Sequence, residues 1–155
     1  MALPHPSLTP HVKPGLRSAS EPHLVVAGLL VRGGRVLLGH RSAQRTWYPD
    51  VWDIPGGHVE RGETPTRALV RELREELGIA IIEPPEVERA RITTKEFHMS
   101  IWLIEKWTGR AVNAAPEEHD EVSWISADQL PGLRLAHGSY LDLLTEVLVG
   151  EPDRD

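Results

Sequence analysis

The sequence predicts an α/β domain in which helices pack on a β-sheet. Three observations predict it: apolar runs of strand length recur along the chain, a central segment repeats leucine at helical spacing, and a second amphipathic segment lies near the C-terminal end. The chain has 155 residues, a length that suits one domain with its own core. It contains no cysteine, which excludes disulfides, thiolate metal ligands and cysteine nucleophiles.

Charge and composition exclude two classes of partner. The net charge of −6 argues against binding duplex nucleic acid, which needs a basic face. Small phosphate ligands remain compatible with an acidic protein, because a bound divalent cation reverses the local charge. No apolar run approaches the roughly 18 residues of a membrane span. With no signal-peptide pattern at the start and no cysteine, we expect a cytoplasmic protein without a membrane partner.

The chain divides into three parts. Residues 1–20 are rich in proline and poor in bulky apolar side chains, and they predict an extended or disordered N-terminal arm. Residues 21–150 hold the apolar runs and form the predicted domain, and residues 151–155 form a short C-terminal tail.

The first part of the domain predicts strands. Residues 23–31 form an apolar run rich in valine and leucine, and Gly33-Gly34 predicts a hairpin turn to a return strand over residues 35–39. After a polar loop, residues 51–54 predict a short strand, which ends at the Pro-Gly-Gly sequence of residues 55–57.

A helix follows over residues 65–77. Thr64 is a suitable N-cap and Pro65 occupies the first helical position, where the missing N–H costs nothing. Gly78 stands where a left-handed residue ends a helix. One face carries a leucine at every fourth position, namely Leu69, Leu73 and Leu77.

The rest of the domain predicts shorter elements. Further strands are predicted over residues 79–82, 97–103 and 122–125. Ser126 and Gln129 have the spacing of a capping box that begins a short helix. Residues 139–149 predict a last amphipathic helix, closed by Gly150.

The central helix carries a cluster of carboxylates beside its leucine stripe. At about 100° per residue, Glu72, Glu75 and Glu76 share one arc, and two of them lie at the edge of the core. Like charges at this spacing cost a few tenths of a kcal/mol each. A solvated face neutralised by arginines is the simpler explanation, but the helical wheel puts Arg71 on the side away from the core. A bound Mg²⁺ or Mn²⁺, which prefers hard oxygen ligands, explains the cluster better.

Residues 57–79, GHVERGETPTRALVRELREELGI, resemble the signature of the Nudix hydrolase family at every defined position. The matching positions are Gly57, Glu63, Arg71, Glu72, Leu73, Glu75, Glu76, Gly78 and Ile79. The order of strands and helices over residues 21–150 is also similar to that of the family. The resemblance implies the Nudix fold, a mixed β-sheet sandwiched between α-helices, and the hydrolysis of a nucleoside diphosphate linked to another group.

The resemblance also implies roles for individual residues. Divalent cations, Mg²⁺ or Mn²⁺, would be held by three catalytic carboxylates and one backbone carbonyl, those of Glu72, Glu75, Glu76 and Gly56. The geometry of the loop and helix would be supported by Gly57, Glu63, Arg71 and Gly78.

The catalytic general base and the pocket for the nucleobase are less closely defined. Family members place the general base on this helix or in a later acidic loop, where Glu118 is our choice and Glu117, Asp120 and Glu121 stay open. The candidates for binding substrate are two loop arginines and two aromatic residues, Arg41, Arg45, Trp52 and Phe97; Trp47 and Trp102 could also stack on a base.

The expected substrate is a (d)NTP or modified (d)NTP, cleaved to NMP and pyrophosphate. ADP-ribose, a dinucleoside polyphosphate or coenzyme A are alternatives, although Lys95 stands where many ADP-ribose hydrolases have proline and the coenzyme A pattern is out of register at Arg45. A non-catalytic nucleotide-sensing module is the alternative of another class. An isopentenyl diphosphate isomerase would need the missing cysteine. The expected partner is a small nucleotide, and a homodimer is left open.

Overall fold

The structure is a computed structural model that describes residues 21–150, so the predicted arm and tail lie outside the described residues. The helices are α1 (Pro65–Leu77), a 3₁₀ helix (Ala127–Gly132) and α2 (Tyr140–Gly150). The strands are β1 (His23–Arg32), β2 (Arg35–Arg41), β3 (Trp52–Asp53), β4 (Gly56–His58), β5 (Ala80–Ile81), β6 (Ala90–Thr93), β7 (Phe97–Ile104), β8 (Trp107–Thr108) and β9 (His119–Ser126).

Seven strands form one mixed sheet around β1. The order is β3-β2-β1-β7-β6, with β4 also paired to β1 and β9 also paired to β2. The pairing of β1 with β7 is parallel, from His23 opposite Phe97 to Leu30 opposite Ile104. All other pairs in this sheet are antiparallel, and β5 and β8 form a separate small ladder.

The sheet separates two apolar layers, because neighbouring residues of a strand point to opposite faces. On one face, Leu29 and its layer pack with α2 and the 3₁₀ helix, whose Leu144 and Leu130 are fully buried. On the other face, Leu30 and its layer pack against the leucine stripe of α1. The predicted sandwich of a mixed sheet between helices is therefore confirmed.

The prediction for α1 is confirmed at both ends. The Thr64 side chain accepts a hydrogen bond from the Arg67 amide at 3.1 Å. Gly78 has a φ of 72°, and its N–H donates to the Arg74 carbonyl. A left-handed residue at this place costs glycine nothing and costs other residues about 1 kcal/mol or more, so the helix ends there and the chain turns towards β5.

Several boundaries differ from the predictions because pairing extends or creates strands. β4 begins at Gly56, inside the predicted turn, since residues 56–58 pair with β1. β6 and β8 are short strands with mixed polar patterns that the sequence analysis did not predict. β2 and β9 are both longer than predicted because they pair with each other along their length. The capping box at Ser126 is confirmed, and α2 starts one residue later and includes Gly150.

None of the helices within residues 21–150 combines the length and the apolar character needed to cross a bilayer.

Candidate functional site

A cavity of about 650 Å³ opens beside β1 and β4, a volume typical of sites for small ligands. Its lining has two parts of different chemistry. The acidic part comes from the Pro-Gly-Gly loop, α1 and the loop before β9, and consists of Gly56, Gly57, Glu72, Glu76, Glu117 and Glu118. The aromatic part surrounds a single carboxyl group and consists of Tyr48, Asp53, Phe97, His137 and Tyr140.

The loop before α1 approaches the helix closely. The Gly56 amide donates a hydrogen bond to Glu76 Oε1 at 3.2 Å. At Gly56 an added Cβ would overlap the backbone of β1 at Val26, so only glycine fits there. At Gly57 an added Cβ would displace the carboxylate of Glu72. The two glycines therefore bring backbone polar groups next to the two inner carboxylates of the helix.

These two carboxylates lie in a poorly solvated place. Glu76 is 4% exposed, and Glu72 is also largely buried. Burial raises the pKa of Glu76 well above its usual value, and the charges of Glu72 and Glu118 raise it further. Burial also raises the pKa of Glu72, although the Arg71 guanidinium opposes that change. A pair of buried carboxylates with elevated pKa values is a marker of a functional site.

Arg71 lies closer to the carboxylates than the helical wheel predicts. It forms a bidentate pair with Glu63 at 2.7 and 3.0 Å and donates to the His58 carbonyl at 3.0 Å. It also donates to Glu72 at 3.0 Å and to Glu75 at 3.4 Å. The prediction that Arg71 stays outside the cluster is wrong, because its long side chain crosses from one arc of the helix to the loop. The guanidinium thus ties residues 58–63 to α1, and the hydrogen bond from Arg71 lowers the pKa of Glu63.

Glu76 differs from its neighbours in having no arginine partner within residues 21–150. The Glu75 side chain is 59% exposed and lies 3.4 Å from Arg71, on the solvent side of the Glu72 and Glu76 pair. The described residues do not form a cluster of three or more carboxylates or histidines already closed in the geometry of a metal site. The donor set nevertheless fits Mg²⁺ or Mn²⁺, since two buried carboxylates with only one arginine between them leave negative charge for a cation to neutralise.

The acidic loop before β9 contributes to the cavity in part. Glu117 and Glu118 line it, and Glu118 lies 4.0 Å from Arg45. Asp120 is bonded to His40 and Glu121 accepts a hydrogen bond from Ser123, and neither lines the cavity. Of the four loop residues considered for the general base, Glu117 and Glu118 line the cavity, and Asp120 and Glu121 do not.

Asp53 and Tyr140 form the centre of the aromatic part. The Tyr140 hydroxyl donates to Asp53 Oδ1 at 2.8 Å, and the same oxygen accepts from the Ile54 amide at 2.8 Å. Burial raises the pKa of Asp53, while Arg41 and the Tyr140 hydrogen bond lower it. Phe97 and His137 extend this part of the lining, with ring centroids 6.3 Å apart.

Arg41 borders both parts of the cavity. It is 8% exposed, and its guanidinium donates to the carbonyls of Trp47 and Tyr48 at 2.6 to 3.1 Å. Tyr48 has a φ of 50°, a strained conformation for a tyrosine. The buried guanidinium therefore holds the loop 42–50 in a turn that presents Trp47 and Tyr48 to the cavity.

The structure places Arg41, Arg45 and Phe97 on the cavity, as predicted for substrate contacts. The placement of Trp52 there is wrong, because successive residues of β3 point to opposite sides and Asp53 takes the cavity side. The Trp52 ring instead packs against His40 at 5.1 Å.

No motif of the sequence singles out Tyr48, Asp53 or Tyr140, and for His137 the sequence indicates only a structural or solvent-exposed role. The one signal available was the alternation of Trp52 and Asp53 in the short strand. His137 and Tyr140 lie far along the chain and join the cavity only in the folded protein.

Comparison with known proteins agrees with this geometry. The NUDIX domain model matches residues 21–144. An Escherichia coli (strain K12) CTP pyrophosphohydrolase is 34% identical over 107 residues, covering 68% of this chain and 76% of the relative. An 8-oxo-dGTP diphosphatase of the same organism is 35% identical over 111 residues, covering 69% and 86%. The crystal structure of a MutT NUDIX hydrolase from Burkholderia pseudomallei superposes with a TM-score of 0.70 at 29% identity, covering 79% of this chain and 96% of that one. The chain therefore belongs to the NUDIX domain family.

Proposed function

We propose that the protein is a pyrophosphohydrolase that cleaves a (d)NTP or a modified (d)NTP to NMP and pyrophosphate with Mg²⁺ or Mn²⁺. The observation that carries the proposal is the pair of buried carboxylates, Glu72 and Glu76, in the wall of a nucleotide-sized cavity. The similarity to a CTP pyrophosphohydrolase and to an 8-oxo-dGTP diphosphatase supports this substrate class over ADP-ribose or coenzyme A.

The residues divide the chemistry between them. Glu72, Glu75 and Glu76, with the Gly56 carbonyl, would hold the cation, which when bound neutralises phosphate charge in the transition state. Arg41 and Arg45 border the cavity from the loop side and supply positive charge for the phosphates. The salt bridge of Arg71 with Glu63 holds the loop before α1 against the helix, which keeps the metal-binding carboxylates close to the Gly56 carbonyl.

Glu118 is the residue that we propose as general base. Its carboxylate lies in the cavity wall, and its charge acts on Glu72 and Glu76, which supports a role beside the proposed metal ligands. It would accept a proton from the attacking water as the water oxygen bonds to phosphorus and the bridging P–O bond breaks. Glu117 is the competing candidate on the same loop.

The test is a product screen of the full chain with Mg²⁺ over NTPs, dNTPs, 8-oxo-dGTP, ADP-ribose, dinucleoside polyphosphates and coenzyme A. We expect NMP and pyrophosphate, in equal amounts, from at least one nucleoside triphosphate. Glu118→Gln should lower kcat by about a hundredfold, and Glu117→Gln, its neighbour on the same loop, should change it less than threefold.

Other products would contradict the proposal in distinct ways. If ADP-ribose were the only compound hydrolysed, to AMP and ribose phosphate, the protein would be an ADP-ribose hydrolase. Tight binding of nucleotides with no hydrolysis of any of them would favour a sensing module. If Glu117→Gln and not Glu118→Gln lost activity, the general base would be reassigned.

A further inference from the structure

Asp53 has an unusual set of partners for a carboxyl group. Both of its hydrogen bonds within residues 21–150, from the Tyr140 hydroxyl and the Ile54 amide, fall on one oxygen, Oδ1. The other oxygen, Oδ2, accepts no hydrogen bond from residues 21–150. Because Asp53 lines the cavity, this oxygen is open to a ligand.

No cation neutralises this carboxyl within the described residues. Arg41 acts on it at a distance, but its guanidinium is bonded to the carbonyls of Trp47 and Tyr48. The direct partners of Asp53 are a phenol and an amide, which suit a neutral acid as well as an anion. Burial favours the neutral form, and an aromatic ligand that displaces water from the cavity favours it further.

The position of the proton follows from the hydrogen bonds. The Tyr140 hydroxyl lies 2.8 Å from Oδ1 and 3.4 Å from Met99 Sδ, and its one proton goes to Oδ1 because a thioether sulfur is a weak acceptor. With the Ile54 amide as the second donor, both acceptor directions of Oδ1 are occupied, so a proton on the carboxyl lies on Oδ2. The neutral acid therefore presents one O–H donor to the cavity, beside the rings of Phe97 and His137, which suit the faces of a nucleobase.

We propose that Asp53 is a specificity-determining residue that donates a hydrogen bond from Oδ2, as a neutral carboxylic acid, to an acceptor on the edge of the nucleobase. The acceptor is a keto oxygen or an unprotonated ring nitrogen. Tyr140 is the positioning residue, because its hydroxyl fixes Oδ1 and thereby points Oδ2 into the cavity. This inference rests on the proposed function, since it assigns the base-binding part of the same cavity.

Asparagine at this position provides a sharp test. In Asp53→Asn the amide oxygen can keep both donors, and the amide NH₂ takes the place of the Oδ2 hydroxyl as a donor. In Asp53→Ala the donor is lost and Tyr140 loses its acceptor. The probes are 8-oxo-dGMP and CMP, whose binding to the full chain is titrated without metal, so that no turnover is needed.

We expect Asp53→Asn to bind at least one probe within threefold of the wild type, and Asp53→Ala to bind that probe at least about tenfold more weakly. If Asp53→Asn weakened binding of both probes as much as Asp53→Ala, Asp53 would act as an anionic acceptor and the proposal would be overturned. Unchanged binding in Asp53→Ala would also overturn it, because the carboxyl would then not touch the base.

A second measurement does not depend on whether the alanine variant folds. The ¹³C shift of the Asp53 carboxyl, assigned by its absence in Asp53→Asn, should correspond to a neutral acid when CMP or 8-oxo-dGMP is bound. A shift typical of a carboxylate in both complexes would overturn the proposal. Failure of the proposed function is separable, since a protein that binds the probes in this pattern and hydrolyses no nucleotide would contradict only the enzymatic activity.

Discussion

The acidic part and the aromatic part of the cavity are assembled from the chain in different ways. The acidic part comes mainly from one continuous stretch, in which a glycine loop leads into α1 and helical spacing alone puts Glu72 and Glu76 side by side. The aromatic part draws Tyr48, Phe97 and Tyr140 from separate segments that meet only through the sheet and α2. Local geometry thus builds the part proposed for chemistry, and tertiary packing builds the part proposed for selection of the base.

The two parts also treat a buried carboxyl differently. Glu76 accepts one hydrogen bond from a backbone amide and lies near the charges of Glu72 and Glu118, so its own charge is left for a cation to neutralise. Asp53 accepts hydrogen bonds from a phenol and a backbone amide, and no carboxylate is among the main causes of its pKa shift. The first arrangement leaves a charge that an added cation would neutralise, whereas the second suits a carboxyl that is neutralised by a proton. The predictions below test this contrast.

Removal of divalent cations has the largest expected effect. In excess chelator we expect hydrolysis to fall below detection, because the carboxylates would then repel the phosphates. Binding of CMP at the aromatic part should change less than threefold under the same conditions. The measurement is pyrophosphate release and CMP titration on one sample, and full activity in chelator would contradict the metal role.

Glu76→Gln should reduce kcat by at least about a hundredfold, since an amide is a poorer ligand for Mg²⁺ than a carboxylate. Glu75→Gln, on an exposed position of the same helix, is the matched control for charge and should lose less. In metal-free protein, Glu76→Gln should raise the free energy of unfolding by up to about 1 kcal/mol, because it removes the repulsion between Glu76 and Glu72.

The stability that metal-free protein gains from Glu76→Gln should depend on pH in a defined way. The folded pKa of Glu76 is raised, so metal-free wild type is destabilised as pH rises above the unfolded value and through the folded one. Thermal unfolding at pH 5 and pH 8 should show a decline that Glu76→Gln lacks. An equal decline in both proteins would mean that Glu76 is not the group responsible.

Tyr140→Phe should cost about 1–2 kcal/mol of unfolding free energy, because Asp53 loses a donor in a poorly solvated place. We expect KM for the preferred nucleotide to rise several-fold while kcat stays within twofold, since the acidic part is untouched. Urea unfolding and steady-state kinetics measure the two effects. A loss confined to kcat would contradict the division between the two parts.

The smallest expected effect concerns His40, outside the cavity. Partial burial lowers its pKa, but hydrogen bonds to Asp120 at 2.8 Å and Asp50 at 3.0 Å outweigh this and leave the pKa raised. The pair of bonds stabilises the fold fully below about pH 6.5, and this contribution is lost as pH rises through the folded pKa. His40→Gln should cost about 0.5 kcal/mol at pH 5.5 and almost nothing at pH 8, as measured by thermal unfolding.

The contrast between the parts also explains what could be predicted from the sequence. Thr64, Pro65, Gly78 and the leucine stripe define α1, because caps and periodicity are local signals. The same helix then carries the carboxylates into the site. Tyr140 and His137 carried no such signal, since their role depends on where α2 docks against the sheet.

The errors have local physical reasons. The aromatic type of Trp52 predicts a place on the cavity, whereas the alternation of β3 gives that side to Asp53. The helical wheel, which follows the direction of the Cα–Cβ bond, predicts that Arg71 points away from the carboxylates, whereas its long flexible side chain reaches Glu63 and Glu72. The short strands β6 and β8 lie at sheet edges, where half-polar patterns do not distinguish a strand from a loop.

The parallel pairing of β1 with β7 has a consequence for how the chain is made. During synthesis the apolar strand His23–Arg32 is made before its partner Phe97–Ile104, which follows only after residues 33–96 have been added. Non-local pairing of this kind slows folding, because a long loop must close before the contact forms. Until then β1 depends on its hairpin with β2 and on α1 to cover its apolar residues. The edge of β1 that β7 covers in the folded protein is therefore unpaired until β7 has been made, and unpaired strand edges are prone to aggregate.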